Sequence, residues 1–325
     1  MNVVIAYADY PQELATSRWR CHIPARALKA AGHGVAMTHI SKLITKDLLN
    51  VDAVLAERTL TTSIVEHVRK FNCKLVFTFD DAYTELPGYA HVMKYWREMG
   101  GVKEFRKVLK LTDLNITPSH KLNDLYSKGS APFEYVPNYL DKYRWSKLYT
   151  HVAREGITIG GGFSAFHRDS FMRSGIADAL KKVSKRDDIR IVLYGMSAVF
   201  QPLKSRGVPF SNPDWVSWPS WPKVMGDFDI ALAPSAGKYD SFRSNLRLLE
   251  AGVAGTPYIA SDHGIYADEF PGGIVVDNNK KAWENAILTL ADMKRSREGL
   301  GADGIEWASK YFMDDNVEVY ERILG

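Results

Sequence analysis

Short apolar runs alternate with helix-length amphipathic stretches along the first half of the chain, the mark of a parallel sheet built through crossover helices. Val3–Ala8 reads as the first strand, Arg20–Ala31 as a helix stopped by Gly32, and His33–Met37 and Ala53–Ala56 as the next two strands. Thr62–Phe71 reads as a helix, and Lys74–Thr78 as a fourth strand that runs into Phe79-Asp80-Asp81-Ala82. Asn115–Thr117, a helix over Ser119–Ser127 and the strand Phe133–Val136 follow. The polar, turn-rich passage from Pro137 to Tyr143 reads as an interdomain linker. With 325 residues, 46% hydrophobic and 25% charged, the chain has the length of two ordinary α/β domains and a soluble globular balance.

The second half opens with Ile157-Thr-Ile-Gly-Gly-Gly-Phe-Ser-Ala-Phe-His-Arg168. A strand over Ile157–Ile159 meets three glycines, and a helix begins near His167 or Arg168. Glycines let a backbone approach a phosphate or a sugar with no Cβ in the way. The run is not a dinucleotide fingerprint, because Ala165 stands at its last glycine position. Arg190–Tyr194 is the next strand, ending at Gly195. Trp218 and Trp221 lie on a loop before a short helix, and either serves as a core anchor or as a surface for a flat ring. Asp227-Phe-Asp229 superficially matches an Asp-x-Asp metal motif, but Asp229 leads directly into the apolar strand Ile230–Ala233 and reads as a strand-orienting residue. His263 to Tyr266 follows a later strand. Trp307–Leu324 has a helix-like pattern.

Tyr239–Asp262 is the stretch richest in chemistry. Leu246, Leu249 and Val253 recur as one apolar helix face, and Arg243, Arg247 and Glu250 form a second. Asp240 or Ser241 can cap the start; Gly255 and Pro257 stop the helix, and Tyr258–Ala260 re-enters the core as a strand. Two arginines added to the positive amino end of a helix make an anion site suited to a diphosphate. The carboxylate can then take neighbouring hydroxyls, as on a ribose. The plainer alternative is a surface helix with an Arg–Glu ladder.

Ligands of such sheets sit beyond the carboxyl ends of the strands. In the first half, Ser17, Arg18 and Arg20 follow the first strand there, and Asp80 and Asp81 end the fourth. Paired carboxylates act as a base, bind hydroxyls or ligate a metal; the alternative is one helix cap and one solvated acid. Residues 1–150 carry 21 Lys+Arg against 15 Asp+Glu, a pointer to an anionic partner. No apolar run approaches the ~18 residues needed to span a bilayer, and no amphipathic basic helix of the membrane-surface kind stands out. The opening Met-Asn-Val-Val-Ile-Ala-Tyr reads as a strand and not a signal peptide, and Cys21 and Cys73 lie far apart without metal-ligand spacing, which together suggest a cytoplasmic protein.

The run Arg243-Ser-Asn-Leu-Arg-Leu-Leu-Glu-Ala-Gly-Val-Ala-Gly-Thr-Pro-Tyr-Ile-Ala-Ser261 resembles the nucleotide-sugar site of retaining glycosyltransferases with the GT-B fold (glycosyltransferase group 1, family 4-like). The glycine-rich opening of the second half, the acidic end of the fourth strand and the passages Ile116–Tyr126 and Val136–Asp141 are similar to the same family. One departure is Phe242, where many members carry a glutamate. The resemblance implies an α/β chain of two Rossmann-like domains facing across a cleft: an acceptor domain over 1–145, a donor domain over 146–305 and a C-terminal helix over 306–325 that returns to the first domain. It implies that Arg243 and Arg247 hold the diphosphate and stabilise its departure, with Asp80 or Asp81 holding the acceptor or the sugar. Gly161, Gly162, Phe163, His167, Gly195, Trp218, Ser244, Asn245 and Glu250 would line the donor site, and Arg18 and Arg20 the acceptor side. The implied reaction moves a sugar from a nucleoside-diphosphate sugar, a UDP-sugar foremost, to a hydroxyl with retention and with no metal or other cofactor. The basic first half suits an anionic acceptor, including DNA with hydroxymethylated pyrimidines, which small phage GT-B enzymes modify. A sugar-nucleotide epimerase and a non-catalytic two-domain sugar- or nucleotide-binding protein are the alternatives.

Overall fold

A computed structural model of the chain describes residues 1–9, 15–90, 92–146, 155–268 and 270–325. It divides into two compact units, Met1–Asp141 with Tyr311–Gly325, and Lys142–Lys310.

The first unit is a six-stranded sheet in the order β2-β1-β3-β4-β5-β6, parallel throughout. β1 (Asn2–Tyr7), α1 (Ile23–Ala30), β2 (Gly34–His39), β3 (Ala53–Glu57), α2 (Thr62–Val68), β4 (Lys74–Thr78), α3 (Gly101–Leu111), β5 (Leu114–Thr117), α4 (His120–Tyr126) and β6 (Phe133–Tyr135) follow in chain order. Val3–Tyr7, Ala53–Glu57 and Leu75–Thr78 are buried, as continuous apolar strands covered on both faces must be. The helix expected from Arg20 is present, but its first part, Arg18–His22, is a wide π-helical turn that continues into the regular α1 at Ile23. Pro24 has no N–H to return to the Arg20 carbonyl, which removes one α-type bond and suits the wider turn. α3 was not anticipated in the sequence; it buries Phe105, Val108 and Leu109. The segment after Trp307 is not one helix: a helix that starts at Lys294 ends at Ala308, two short turns follow, and a final helix spans Val317–Leu324. That helix buries Tyr320, Ile323 and Leu324 in the first unit. Leu140 N–H donates to the Tyr311 carbonyl (2.8 Å), and Met313 N–H donates to the Leu140 carbonyl (3.0 Å).

The second unit holds a five-stranded parallel sheet in the order β11-β10-β9-β7-β8. Its elements are β7 (Ile157–Phe163), α5 (Arg168–Arg173), α6 (Ile176–Val183), β8 (Ile189–Gly195), α7 (Trp221–Gly226), β9 (Ile230–Ala233), α8 (Leu246–Val253), β10 (Tyr258–Ser261), β11 (Gly273–Val276), α9 (Lys280–Asp292) and α10 (Lys294–Ala308). Its core gathers Ile159, Phe163, Phe171, Leu180, Leu193, Ile259 and Trp283. The three glycines expected to form a loop after β7 lie inside that strand and pair with Val192, Leu193 and Tyr194 of β8. A Cβ at Gly160 would sit 1.9 Å from the Val192 carbonyl oxygen, so close strand packing requires a glycine there.

Candidate functional site

β7 is flanked by β8 on one side and β9 on the other, so the strand order reverses there. A crevice opens beyond the carboxyl ends of strands at such a reversal. The turn after β7 carries His167, and the connection from β9 to α8 carries Arg243. The helix expected to be capped by Asp240 or Ser241 is instead a short turn over Asp240–Phe242, an extended Arg243, and α8 from Leu246. Neither residue caps it: Ser241 Oγ donates to the Lys238 carbonyl (2.6 Å), and Asp240 is engaged elsewhere. Its carboxylate is buried, accepts from Ser170 Oγ and from Ala236 N–H (3.3 Å), and lies 4.0 Å from Arg243 Nη1. Burial raises the Asp240 pKa against the pull of Arg243. The face of α8 that packs inward is Leu248, Leu249, Ala251, Gly252 and Val253; it includes the expected Leu249 and Val253, while Leu246 is only half-buried.

Three predicted residues converge. His167 Nε2 lies 2.8 Å from Arg243 Nη1 and 2.7 Å from Arg247 Nη2. Two guanidinium donors on one ring nitrogen require that nitrogen to be an acceptor, which places the proton on Nδ1. There it faces Ser164, with Oγ at 3.0 Å and the carbonyl oxygen at 3.2 Å. His167 is buried, and burial first, then Arg247 and Arg243, hold its pKa well below the ordinary histidine range. Arg247 also donates to the Gly162 carbonyl (3.2 Å) and lies with its guanidinium carbon 4.6 Å from the Phe163 ring centre. Enclosure lowers the Arg247 pKa. Its Nη1 is shielded from solvent and has no hydrogen-bond partner among the described residues; the same holds for both side-chain atoms of Asn245, which is 1% exposed. Buried donors left without partners are costly unless something else engages them. Two cations and a buried amide around a neutral imidazole are chemically an anion receptor.

The other predicted donor residues take varied places. Glu250 is half-buried on α8, one turn past Arg247, and its charge acts on that guanidinium. Ser244 is half-buried between Arg243 and Asn245. Gly161, Gly162 and Phe163 are the last residues of β7, and Gly195 ends β8 with a φ of 148°. A Cβ at Gly162 would meet the Trp221 ring at 2.6 Å, so this glycine is a packing requirement and offers the site its carbonyl. Trp218 is packed on Trp145 (5.9 Å) and 9% exposed. The exposed indole of this loop is one the sequence reading passed over, Trp215, stacked on Trp221 at 5.8 Å and 62% exposed. Asp229 accepts from Thr158 N–H (2.8 Å), tying β9 to β7. Ser235 Oγ lies 2.9 Å from His263 Nδ1, a pairing across 28 residues that the sequence does not signal.

In the first unit the strand order reverses at β1, between β2 and β3, and a polar cluster stands at that end of the sheet. Glu57 is fully buried; it accepts from Ala8 N–H (2.7 Å) and Ser17 Oγ, and burial raises its pKa. Arg58, in a left-handed conformation with φ 48°, pairs with Asp9. Asp80 accepts from Thr16 Oγ1 at 2.9 Å on both oxygens. Burial, then the Asp81 charge, push its pKa up to about 7, against Arg58. Arg18 keeps a half-exposed place over Trp19. Arg20 is not placed to meet an acceptor substrate: it is fully buried, with Nε donating to Thr78 Oγ1 (2.9 Å) and Nη1 to the Val136 carbonyl (2.7 Å). Those acceptors make it a brace between the wide turn, β4 and the chain after β6.

Residues 174–293, from the end of α5 through α9, match the family described as glycosyl transferases group 1. Among curated protein sequences, none matches the chain. Solved structures do. Sucrose-phosphate synthase from Thermosynechococcus elongatus superposes with a TM-score of 0.72 at 14% identity, over 99% of this chain and 98% of that one. A glycosyltransferase from Rickettsia africae gives 0.68 at 14%, over 99% and 98%. HepE from Anabaena, solved with UDP-glucose, gives 0.67 at 12%, over 99% of both. The chain has the GT-B fold. Within this GT-B chain, the family match takes in Arg243, Arg247 and Glu250 but not the β7 end or His167.

Proposed function

We infer that this GT-B chain is a glycosyltransferase that moves a sugar from a nucleoside-diphosphate sugar to an acceptor hydroxyl, with retention and without a metal. The observation that carries the reading is the pair of guanidiniums on neutral His167, with a buried Arg247 donor that no described residue engages. A uridine nucleotide is the favoured donor, because relatives of the same fold were solved with UDP and UDP-glucose. In this reading Arg243 and Arg247 stabilise the charge that builds on the departing diphosphate, and His167, uncharged, sets their direction without adding a charge of its own. The acceptor hydroxyl attacks the sugar on the face the diphosphate leaves. Asp80, in the first unit, is the proposed partner for an acceptor or sugar hydroxyl.

The test is thermal melting of wild type and Arg247→Ala with UDP, ADP, GDP and the corresponding sugar nucleotides. A ligand that binds only the folded state at a hundred times its Kd adds about 2.7 kcal/mol. A midpoint rise with a uridine nucleotide that is lost in Arg247→Ala is expected, and no rise with any nucleotide would overturn the reading. The anomeric configuration of the product, and turnover that persists in a chelator, test retention and metal independence separately.

A further inference from the structure

The excess of 21 Lys+Arg over 15 Asp+Glu in residues 1–150 does not extend to the polar cluster beyond the carboxyl ends of β1, β3 and β4. There Asp9, Glu57, Asp80 and Asp81 stand with one cation, Arg58. Arg58 is already committed, because it pairs with Asp9 and its Nε lies 4.0 Å from Glu57 Oε1. Arg58 acts on Glu57, Asp80 and Tyr83 alike, whereas neither Arg18 nor the buried Arg20 is among the main charges acting on them. Even with Glu57 and Asp80 carrying protons, Asp9, Asp81 and Arg58 leave the cluster one negative charge. Asp9, Arg58, Asp80 and Asp81 keep part of their surface exposed; Glu57 and Tyr83 are buried. Tyr83 is stacked flat on Trp96, 3.9 Å between ring centres and 5° between planes, which fixes its hydroxyl. That hydroxyl and Glu57 Oε1 have no hydrogen-bond partner among the described residues. Burial keeps the proton on the hydroxyl, and the charges acting on it are Arg58, Asp81, Asp80 and Glu57. A buried donor and a buried acceptor without partners are costly unless something engages them.

We propose that this cluster takes the sugar end of an uncharged acceptor and turns away acceptors that carry a phosphate there. The proposal rests on the transferase reading above and adds the chemical class of the acceptor. A hydroxyl both donates and accepts, so neighbouring hydroxyls can give protons to the Asp9 and Asp81 carboxylates while an oxygen accepts from Tyr83 Oη. Asp80, its carboxyl pushed up to about 7 by burial and the Asp81 charge, can do either. A phosphate sets its own charge against Asp9 and Asp81 and meets an arginine that Asp9 already neutralises. An ammonium finds the charge it needs but has no acceptor for the Tyr83 proton. The anionic acceptor suggested by the charge of the whole first half is thus disfavoured at this site, DNA included, since phosphodiesters would flank its hydroxyl.

The experiment measures release of nucleoside diphosphate by the full chain from the sugar nucleotide that gives the largest melting shift. Aldohexoses, their methyl glycosides, their 6-phosphates and their 2-amino counterparts are added in excess. At least one neutral sugar is expected to accelerate release over the acceptor-free rate, with a kcat/KM at least about tenfold above that of its 6-phosphate. Asp9→Asn and Asp81→Asn, made singly, each remove a unit charge at about 6 Å and narrow that gap by about fivefold to tenfold at an intermediate dielectric. Tyr83→Phe raises KM for the neutral sugar about threefold to tenfold, and keeps its melting midpoint because a ring still stacks on Trp96. A phosphorylated or amino sugar with the higher kcat/KM, a gap unchanged in both aspartate variants, or release that no sugar accelerates would each overturn the proposal. Nucleotide melting shifts with no sugar-dependent release would sink this proposal and leave the donor site standing. Absence of any nucleotide shift would take the transferase reading with it.

Discussion

His167→Gln is the perturbation that most sharply tests the site as built. Glutamine keeps an acceptor oxygen within reach of the two guanidiniums but cannot take a proton. In the folded chain His167 is neutral, held so by burial and by Arg247 and Arg243, whereas in the unfolded chain it titrates at the ordinary value of about 6.5. Below that value the unfolded chain binds a proton that the folded chain refuses, so stability is complete above it and falls with decreasing pH. With each pH unit worth about 1.4 kcal/mol, lowering the pH to about 5 costs at most roughly 2 kcal/mol through this one side chain. The assay is urea unfolding of wild type and His167→Gln, followed by far-UV circular dichroism, from about pH 8 to about pH 5. Taking the difference between the two proteins cancels every other titrating group. Wild type is expected to lose additional stability, up to ~2 kcal/mol, and the variant not to. Parallel curves would mean that His167 takes its proton in the folded state, and the picture of one nitrogen accepting from both arginines would be wrong.

Asp80 carries the opposite sign. Its carboxyl is raised from 3.8 to about 7, so the folded chain holds a proton that the unfolded one releases, and stability falls as pH rises through that window. Asp80→Asn therefore gains stability at alkaline pH relative to wild type, by at most about 4 kcal/mol, and an unchanged pH–stability curve would refute the assignment. Gly160→Ala places a methyl against the Val192 carbonyl and the Phe228 ring, which costs about 1–3 kcal/mol or more of melting stability. Gly88→Ala, with nothing within 4 Å, is the control, and equal melting points would refute the packing argument. Arg20→Met leaves Thr78 Oγ1 and the Val136 carbonyl without their donor, so it is expected to lower stability by several kcal/mol while leaving UDP affinity in the surviving folded fraction unchanged.

Strand positions were legible because continuous apolar runs such as Val3–Tyr7 and Ile230–Ala233 have few other uses in a chain of this composition. Arg243 and Arg247 were picked out together by their spacing within one segment. Their meeting with His167 was not: the partners are 76 and 80 residues apart, and a single sequence holds no record of that contact. Asp240 misled because its short side chain suits a helix cap, and only the tertiary contact with Ser170 shows that it is otherwise engaged. Arg20 misled for a related reason, since a cation next to a loop says nothing about whether carbonyls await it in the interior. The glycine run after Ile159 was read as a phosphate loop by habit of composition, while the close passage of Val192 and Trp221 makes it strand.

The return of Tyr311–Gly325 to the first unit has a bearing on how the protein is made. A ribosome completes residues 1–141 early, yet Tyr320, Ile323 and Leu324, each no more than 1% exposed, arrive only after all of 142–310 has been synthesised. The unit begun first is thus the one finished last, and until then the apolar ground beside α1, β3 and β4 is open to solvent and to other chains. The second unit, by contrast, is continuous in sequence and can close on its own core as it emerges. A nascent chain of this design is most exposed to misassociation not at its unfinished end but at its beginning.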